Sequence, residues 1–382
     1  MRSERGAISR RGFARMLGAG AAFAAARPAD VCGLAMQAPA GAVVRLSSNE
    51  NPYGPSPAAL RAMTEAFGLA WRYPDEHGEA LAGEVAKLHG VTDKQVILGS
   101  GSGEILKLAA AAFTGPSRGL IVADPTFEAV VHHATASRAE VLKVGLTPDY
   151  RHDLPKMLAA VGTTAGLVYV CNPNNPTASI TPKEEVRAFL SKAPRETVVL
   201  VDEAYHHYVE SADYESVAPL VAEHPNLVVA RTFSKIYGMA GLRCGYCVAP
   251  SPLVERMRAQ QAWDSVNIMA IAAALASLRD AAQVSEGRRR NAEVKRYVYA
   301  ELDRLGLKYI PSAANFLMFD MRSEVKPFIE GMKQRGVEVG RFFPSLPTHM
   351  RVTVGTRADM RSFVSALRQV TAAAQPPSGS RL

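Results

Sequence analysis

The chain has 382 residues, a length at which a single hydrophobic core usually gives way to two packed domains. Apolar residues make up 48% and charged residues 21%, an ordinary globular balance that excludes a disordered or fibrous chain. The formal net charge is +8; six arginines against Glu4 and Asp30 put half of it in residues 1–40, and so thin an excess over the rest excludes nucleic acid as the expected partner, leaving small anions.

Ser9-Arg10-Arg11-Gly12-Phe13 sets paired arginines before a phenylalanine. The apolar stretch from Met16 to Ala26 follows and is too short for a bilayer span. The combination resembles a twin-arginine export signal, which implies a targeting segment at 1–40 and a periplasmic or extracytoplasmic destination. Ala38-Pro39-Ala40 offers small residues in an A-x-A arrangement for cleavage, and no later stretch is long and apolar enough for a stable membrane span.

Residues 41–72 read as an N-terminal arm. Its segment Ser48-Asn49-Glu50-Asn51-Pro52-Tyr53-Gly54-Pro55-Ser56-Pro57 holds too many prolines for a helix. Residues 73–275 read as the large domain. Short β-rich runs alternate there with helical stretches: Val96–Leu98, Leu120–Ala123, Glu140–Val144, Leu167–Val170, Thr197–Val201, Leu227–Ala230 and Tyr246–Ala249. Continuous Val- and Ile-rich runs suit strands covered on both faces, so the expected fold class is α/β with a doubly wound sheet. Thr181-Pro182-Lys183-Glu184 reads as a capping box with Thr181 at the N-cap. Residues 276–373 read as a smaller C-terminal α/β domain. It has a long charged helix from Ala281 to Leu305, strands near Phe316–Phe319 and Arg351–Val354, and a helix from about Asp359 to Ala373. Residues 374–382, rich in Pro, Ser and Gly, read as a disordered tail.

Four cysteines do not make a disulfide scaffold. Cys244 and Cys247 have C-x-x-C spacing, but they fall on a predicted strand, where residues three apart point to opposite faces. No second pair completes a zinc site, so no metal is expected.

Four segments carry chemistry. In Arg231-Thr232-Phe233-Ser234-Lys235-Ile236-Tyr237-Gly238 a lysine follows a strand in an apolar setting with hydroxyls beside it. Desolvation lowers such a lysine's pKa and makes its amine a nucleophile. Val199-Leu200-Val201-Asp202-Glu203-Ala204-Tyr205 puts an acid at the end of a buried strand, where open α/β sheets bind ligands. A plain helix N-cap is the other reading of Asp202. Val170-Cys171-Asn172-Pro173-Asn174-Asn175-Pro176-Thr177 is a turn after another strand. Gly99-Ser100-Gly101-Ser102-Gly103-Glu104 leads into a predicted helix, Ile105–Ala112, and its backbone N–H groups suit an anion.

Together these segments resemble the fold-type-I pyridoxal-phosphate aminotransferases, and within them the histidinol-phosphate aminotransferases. The likeness runs from about Arg45 to Thr356 and includes Asn49–Pro55, Arg72-Tyr73-Pro74-Asp75 and Arg351–Thr356. It implies pyridoxal 5'-phosphate as cofactor, held by Lys235 as a Schiff base, with Lys235 also shuttling the substrate proton. Asp202 would pair with the ring nitrogen, Asn175 and Tyr205 with the ring oxygen, and Phe127 would stack on the ring. Ser102, Gly103, Thr232, Ser234 and Arg243 would bind the phosphate. Tyr73 would reach the neighbouring subunit's cofactor, which implies a homodimer. Arg351 would hold the substrate's carboxylate or phosphate, with Asn49 and Tyr53 as further substrate contacts. The implied reaction moves an amino group from an amino acid or amino-phosphate donor to a 2-oxo acid. A decarboxylase or lyase on the same scaffold is the alternative, and a non-catalytic exported binding protein is a third reading that the full set of cofactor residues disfavours.

Two positions depart from the family pattern. Ala178 stands where Gly commonly follows Asn-Pro-Thr. In Val337-Glu338-Val339-Gly340-Arg341 an arginine is displaced from its usual place directly after the valine. His206 and His207 read as packing or surface residues, and His152, His224 and His349 as loop residues.

Overall fold

The structure is a computed structural model that describes residues 43–373. The targeting segment read at 1–40 and the tail read at 374–382 lie outside the described residues.

The strands in chain order are β1 (Val44–Arg45), β2 (Val96–Gly99), β3 (Gly119–Asp124), β4 (Val141–Gly145), β5 (Ala165–Cys171), β6 (Val198–Asp202), β7 (Leu227–Thr232), β8 (Gly245–Val248), β9 (Tyr309–Ile310), β10 (Phe316–Asp320), β11 (Val337–Glu338) and β12 (His349–Thr353). Seven of them form one sheet in the order β2-β8-β7-β6-β5-β3-β4. β3 to β7 pair in parallel, whereas β8 is antiparallel to both β7 and β2. β2 therefore runs with the parallel strands, and their C-terminal ends share one edge.

The predicted two-sided burial holds at the sheet's centre. β6 and β7 are buried throughout. One apolar cluster, with Val168, Val201 and Phe233, covers one face; another, with Leu106, Leu167 and Val228, covers the other. β4 differs: as an edge strand it exposes Leu142 and Lys143. Cys244 belongs to the first cluster and Cys247 to the second, so the C-x-x-C pair straddles the sheet. Burial pushes both thiols up to about 12, which leaves them unreactive.

Three expectations are corrected. The arm contains a helix, Pro57–Ala66, that starts where the prolines end; Ser56 caps it by accepting from Ala59 N, and Pro57 takes the first turn. The capping box at Thr181 does not form. Its hydroxyl accepts instead from His152 N at 3.3 Å, and the helix starts later, at Lys183–Lys192 with Pro182 as N-cap. His349 opens β12 rather than lying in a loop, and His152 is a loop residue that is fully buried, its Nε2 2.9 Å from the Cys171 carbonyl.

The C-terminal part has its own apolar cluster, in which Val298, Leu317, Phe319, Phe363 and Leu367 join the helices Ala281–Arg304 and Arg357–Ala373 to the antiparallel sheet β12-β10-β9. The arm is stitched to this part: β1 pairs in parallel with β11, and Leu46 enters the same cluster.

Candidate active site

The loop after β2 turns directly into the helix Ser102–Phe113, which begins three residues earlier than the sequence pattern placed it. Gly101 sits at φ +77°, and a Cβ there would fall 2.2 Å from Arg243 Nη2. A Cβ on Gly245 would fall 2.4 Å from the Ser102 nitrogen. Only glycine allows this approach. It lets the first-turn N–H groups of Ser102 and Gly103, at the positive end of the helix dipole, share a cleft with the Arg243 guanidinium. Thr232 and Ser234 line the same cleft. Hydroxyls, free N–H groups and a fixed cation make a phosphate cradle.

Lys235 lies just past β7. Its Nζ donates to the carbonyls of Asn49 at 3.0 Å and Ser48 at 3.4 Å, and stands 5.6 Å from the Tyr205 ring centre. Burial pushes its pKa down to about 8, with the nearby Arg351 adding to the effect. A large neutral fraction near pH 8 is what an amine nucleophile needs.

Asp202 ends β6. Burial pushes its carboxyl up to about 6, against hydrogen bonds from Tyr169 and from Ala204 N that favour the anion. The Tyr169 hydroxyl donates to Oδ2 at 2.9 Å. A buried carboxylate to which no basic side chain bonds among the described residues is poised to receive a cationic ligand atom. Its neighbour Glu203 is already spent: it accepts from Arg231 Nη2 at 2.8 Å, from Ser216 Oγ at 2.8 Å and from Val217 N at 2.7 Å.

Arg351 on β12 enters from the C-terminal part. Its Nη1 donates to Asn175 Oδ1 at 2.7 Å and its Nη2 to the Ser47 carbonyl at 2.8 Å, while the buried Nε has no partner among the described residues. Both acceptors are neutral, so a carboxylate or phosphate can displace them with a stronger, charge-assisted pair. Because the Asn175 amide oxygen faces Arg351, its NH₂ remains free to donate.

One cleft of about 660 Å³ gathers Asn49, Ser102, Gly103, Phe127, Asn175, Asp202, Tyr205, Thr232, Ser234, Lys235, Arg243 and Arg351. Tyr53 and Tyr73 are not among its walls. Tyr53 is 41% exposed with Arg290 4.8 Å from its ring, and Tyr73 is 81% exposed. The displaced Arg341 does reach the mouth, where it pairs with Glu128 at 2.6 Å and lies 4.3 Å from the Phe343 ring. His206 and His207 are packed ring against ring, and burial, followed by Arg231, pushes His207 down to about 3.

Sequence reasoning missed Tyr169, Asn315 and Thr353. Tyr169 had a signal, as the lone hydroxyl in the apolar run of β5; Asn315 and Thr353 had none, because their partner Asn49 lies more than 260 residues away.

The donor set fits pyridoxal phosphate: a phosphate cradle, a buried acid for a ring nitrogen and a desolvated amine share one wall. Residues 42–367 match the model of the family described as aminotransferase class I and II. The histidinol-phosphate aminotransferase of Moorella thermoacetica is 40% identical over 86% of this chain and 86% of its own length. The histidinol-phosphate aminotransferase 2 of Pseudomonas fluorescens Pf0-1 is 37% identical over 91% of this chain and 94% of its own. Among solved structures, the histidinol-phosphate aminotransferase of Sinorhizobium meliloti in complex with pyridoxal-5'-phosphate superposes with a TM-score of 0.82 at 27% identity, covering 87% of this chain and 92% of that one.

Proposed function

The chain belongs to the class I and II aminotransferases and is a fold-type-I pyridoxal-phosphate-dependent transaminase, and from that premise we propose how its residues divide the work. The observation that carries the assignment is the convergence of half-buried Lys235 with buried Asp202 and Arg351 and the Arg243 cradle in one cleft. Bound pyridoxal phosphate supplies an electron sink that lets the donor's α-carbon shed a proton. Lys235 would hold the cofactor covalently, and its amine would carry the proton to and from the donor's α-carbon. Asp202 would pair with the ring nitrogen and keep it protonated. Asn175 Nδ2 and the Tyr205 hydroxyl would donate to the ring oxygen, and Phe127 would cover the ring face. Ser102, Gly103, Thr232, Ser234 and Arg243 would hold the cofactor's phosphate.

Arg351 takes the donor's anionic group, and Arg341 offers a second cation at the mouth once it leaves Glu128. This pair of arginines supports a donor of the histidinol-phosphate class, the substrate named for the relatives at 37–40% identity. The experiment is a half-reaction. Holoprotein mixed with histidinol phosphate alone, without any 2-oxo acid, is expected to lose its visible band stoichiometrically. A band that persists while CO₂ or another fragment is released from an amino-acid donor points to the decarboxylase or lyase reading instead.

The working unit is proposed to be a homodimer. Trp71 (76% exposed), Tyr73 and Trp263 (94% exposed) are large apolar side chains left on the surface, and Tyr73 and Trp263 line one groove. Such a patch marks an interface. Tyr73 would then serve the partner's site. Sedimentation is expected to give twice the mass of one chain, and a monomer at micromolar concentration would remove the proposal. Export is proposed on the Arg10-Arg11 pattern alone; changing both to Lys should hold active protein in the cytoplasm, and an unchanged distribution would refute it.

A further inference from the structure

Asn49, expected as a substrate contact, lines the cleft, and its polar atoms are all engaged within the protein. Asn49 has φ +55°, the left-handed region that Asn tolerates better than most residues. Its main chain is held from both parts of the molecule. The carbonyl accepts from Lys235 Nζ at 3.0 Å and from Asn315 Nδ2 at 3.1 Å, and the N–H donates to Thr353 Oγ1 at 2.8 Å. Its side chain lies between two hydroxyls, Thr353 Oγ1 at 3.3 Å from Oδ1 and the Tyr205 hydroxyl at 3.1 Å from Nδ2.

Proton counting gives this chain a direction. A hydroxyl has one proton and two lone pairs, a backbone N–H can only donate, and an amide oxygen can only accept. Thr353 Oγ1 therefore uses a lone pair on Asn49 N, and its single proton goes to Asn49 Oδ1. Turning the amide over would leave the buried Thr353 proton without an acceptor among the described residues. With Oδ1 taken by Thr353, the NH₂ faces Tyr205 and donates to its oxygen. Tyr205 then keeps its own proton for another direction. The ring is fixed by an edge-on contact with Phe316, centroids 5.1 Å apart, and the hydroxyl belongs to the cleft wall.

We propose that Thr353 and Asn49 form a directional hydrogen-bond relay that aims the Tyr205 proton at the cofactor's ring oxygen, so that Asn49 is a positioning residue rather than a substrate contact. The proposal rests on the reading that Tyr205 donates to that oxygen. A donor there stabilises the deprotonated form of the bound chromophore. Loss of the relay frees the Tyr205 hydroxyl to rotate and weakens the donation.

The test is the pH titration of the visible band of the holoenzyme. Asn49→Gly removes the side chain while keeping the positive φ and the main-chain bonds. It is expected to raise the titration midpoint by roughly 0.5–1 pH unit, the worth of a weakened hydrogen bond to a charged acceptor. Thr353→Val, which cannot donate to Oδ1, is expected to shift it in the same direction by less, and Thr353→Ser to restore the original midpoint. Lys235, Arg351 and Asp202, the charged groups around Tyr205, are common to every variant. Tyr205→Phe alone tests the underlying reading: it is expected to raise the midpoint, and in that background Asn49→Gly should add nothing. If Tyr205→Phe raises the midpoint but Asn49→Gly leaves it unchanged or lowers it, the relay is wrong and the Tyr205 assignment stands. Equal shifts from Asn49→Gly with and without Tyr205 would mean Asn49 acts by another route, which also overturns the relay. No shift from Tyr205→Phe overturns both.

Discussion

Lys235→Ala is expected to give a folded protein that still takes up pyridoxal phosphate but shows no covalent linkage and at least ~10³-fold less turnover, the scale of a lost general acid–base group. The cofactor should remain bound because Lys235 contributes nothing to the cradle of Arg243, Thr232 and the Ser102 helix end. The fold should survive because the lysine is a cost to it. Burial pushes its pKa down to about 8, so the folded chain binds fewer protons than the unfolded one between about 8 and the ordinary lysine range. Its contribution to stability therefore grows as pH rises through that window and is unfavourable below it. Removing the amine relieves a buried charge at neutral pH. What it leaves behind are the Asn49 and Ser48 carbonyls, which lose a donor. Absorbance of the purified variant, reduction with borohydride and a turnover assay check the three parts. A reducible linkage in the variant would move the cofactor-bearing role to another residue.

Asp202→Asn is expected to keep the cofactor and lose about 3–5 kcal/mol of transition-state stabilisation, or roughly 10²–10⁴ in rate. The amide keeps the shape and can still accept from Tyr169, but it cannot balance a protonated ring nitrogen. The same substitution should change the pH dependence of the cofactor-free protein. Burial holds the Asp202 carboxyl up to about 6, so the folded state binds the extra proton between about 4 and 6. Stability from this group is present at the acid end and is lost as pH rises through 6. The variant should lack that component, and urea unfolding at pH 4.5 and 7 measures it. Near-normal turnover by Asp202→Asn would remove the ring-nitrogen role.

The parts of the site legible in the sequence share a physical cause. Each is a short polar segment directly after a buried strand, and parallel strands bring such segments to one edge whatever their order along the chain. Lys235 after β7, Asp202 at the end of β6, Asn175 after β5 and the glycine turn after β2 all follow that rule. Thr181 was misread because a local capping pattern lost to a tertiary partner, His152 N. The helix Pro57–Ala66 was overlooked because the same prolines that forbid a helix at 48–56 supply its first turn. The environment of Asn49 was invisible for a different reason. Its partners Tyr205, Asn315 and Thr353 come from three separate elements, and no spacing in the sequence encodes their meeting. Tyr53 and Tyr73 lie outside the cleft walls of the single chain, and the motifs that carry them say nothing of which surface they face.

The assignment of Lys235 as the cofactor-bearing residue is the point on which the other roles depend, and borohydride reduction of the wild-type holoenzyme, followed by peptide mapping, tests it most directly. The expected result is one modified peptide, spanning Thr232 to Arg243, with the pyridoxyl group on Lys235 and the visible band lost in proportion. A modification on any other lysine, or a band that borohydride leaves intact, would contradict the account.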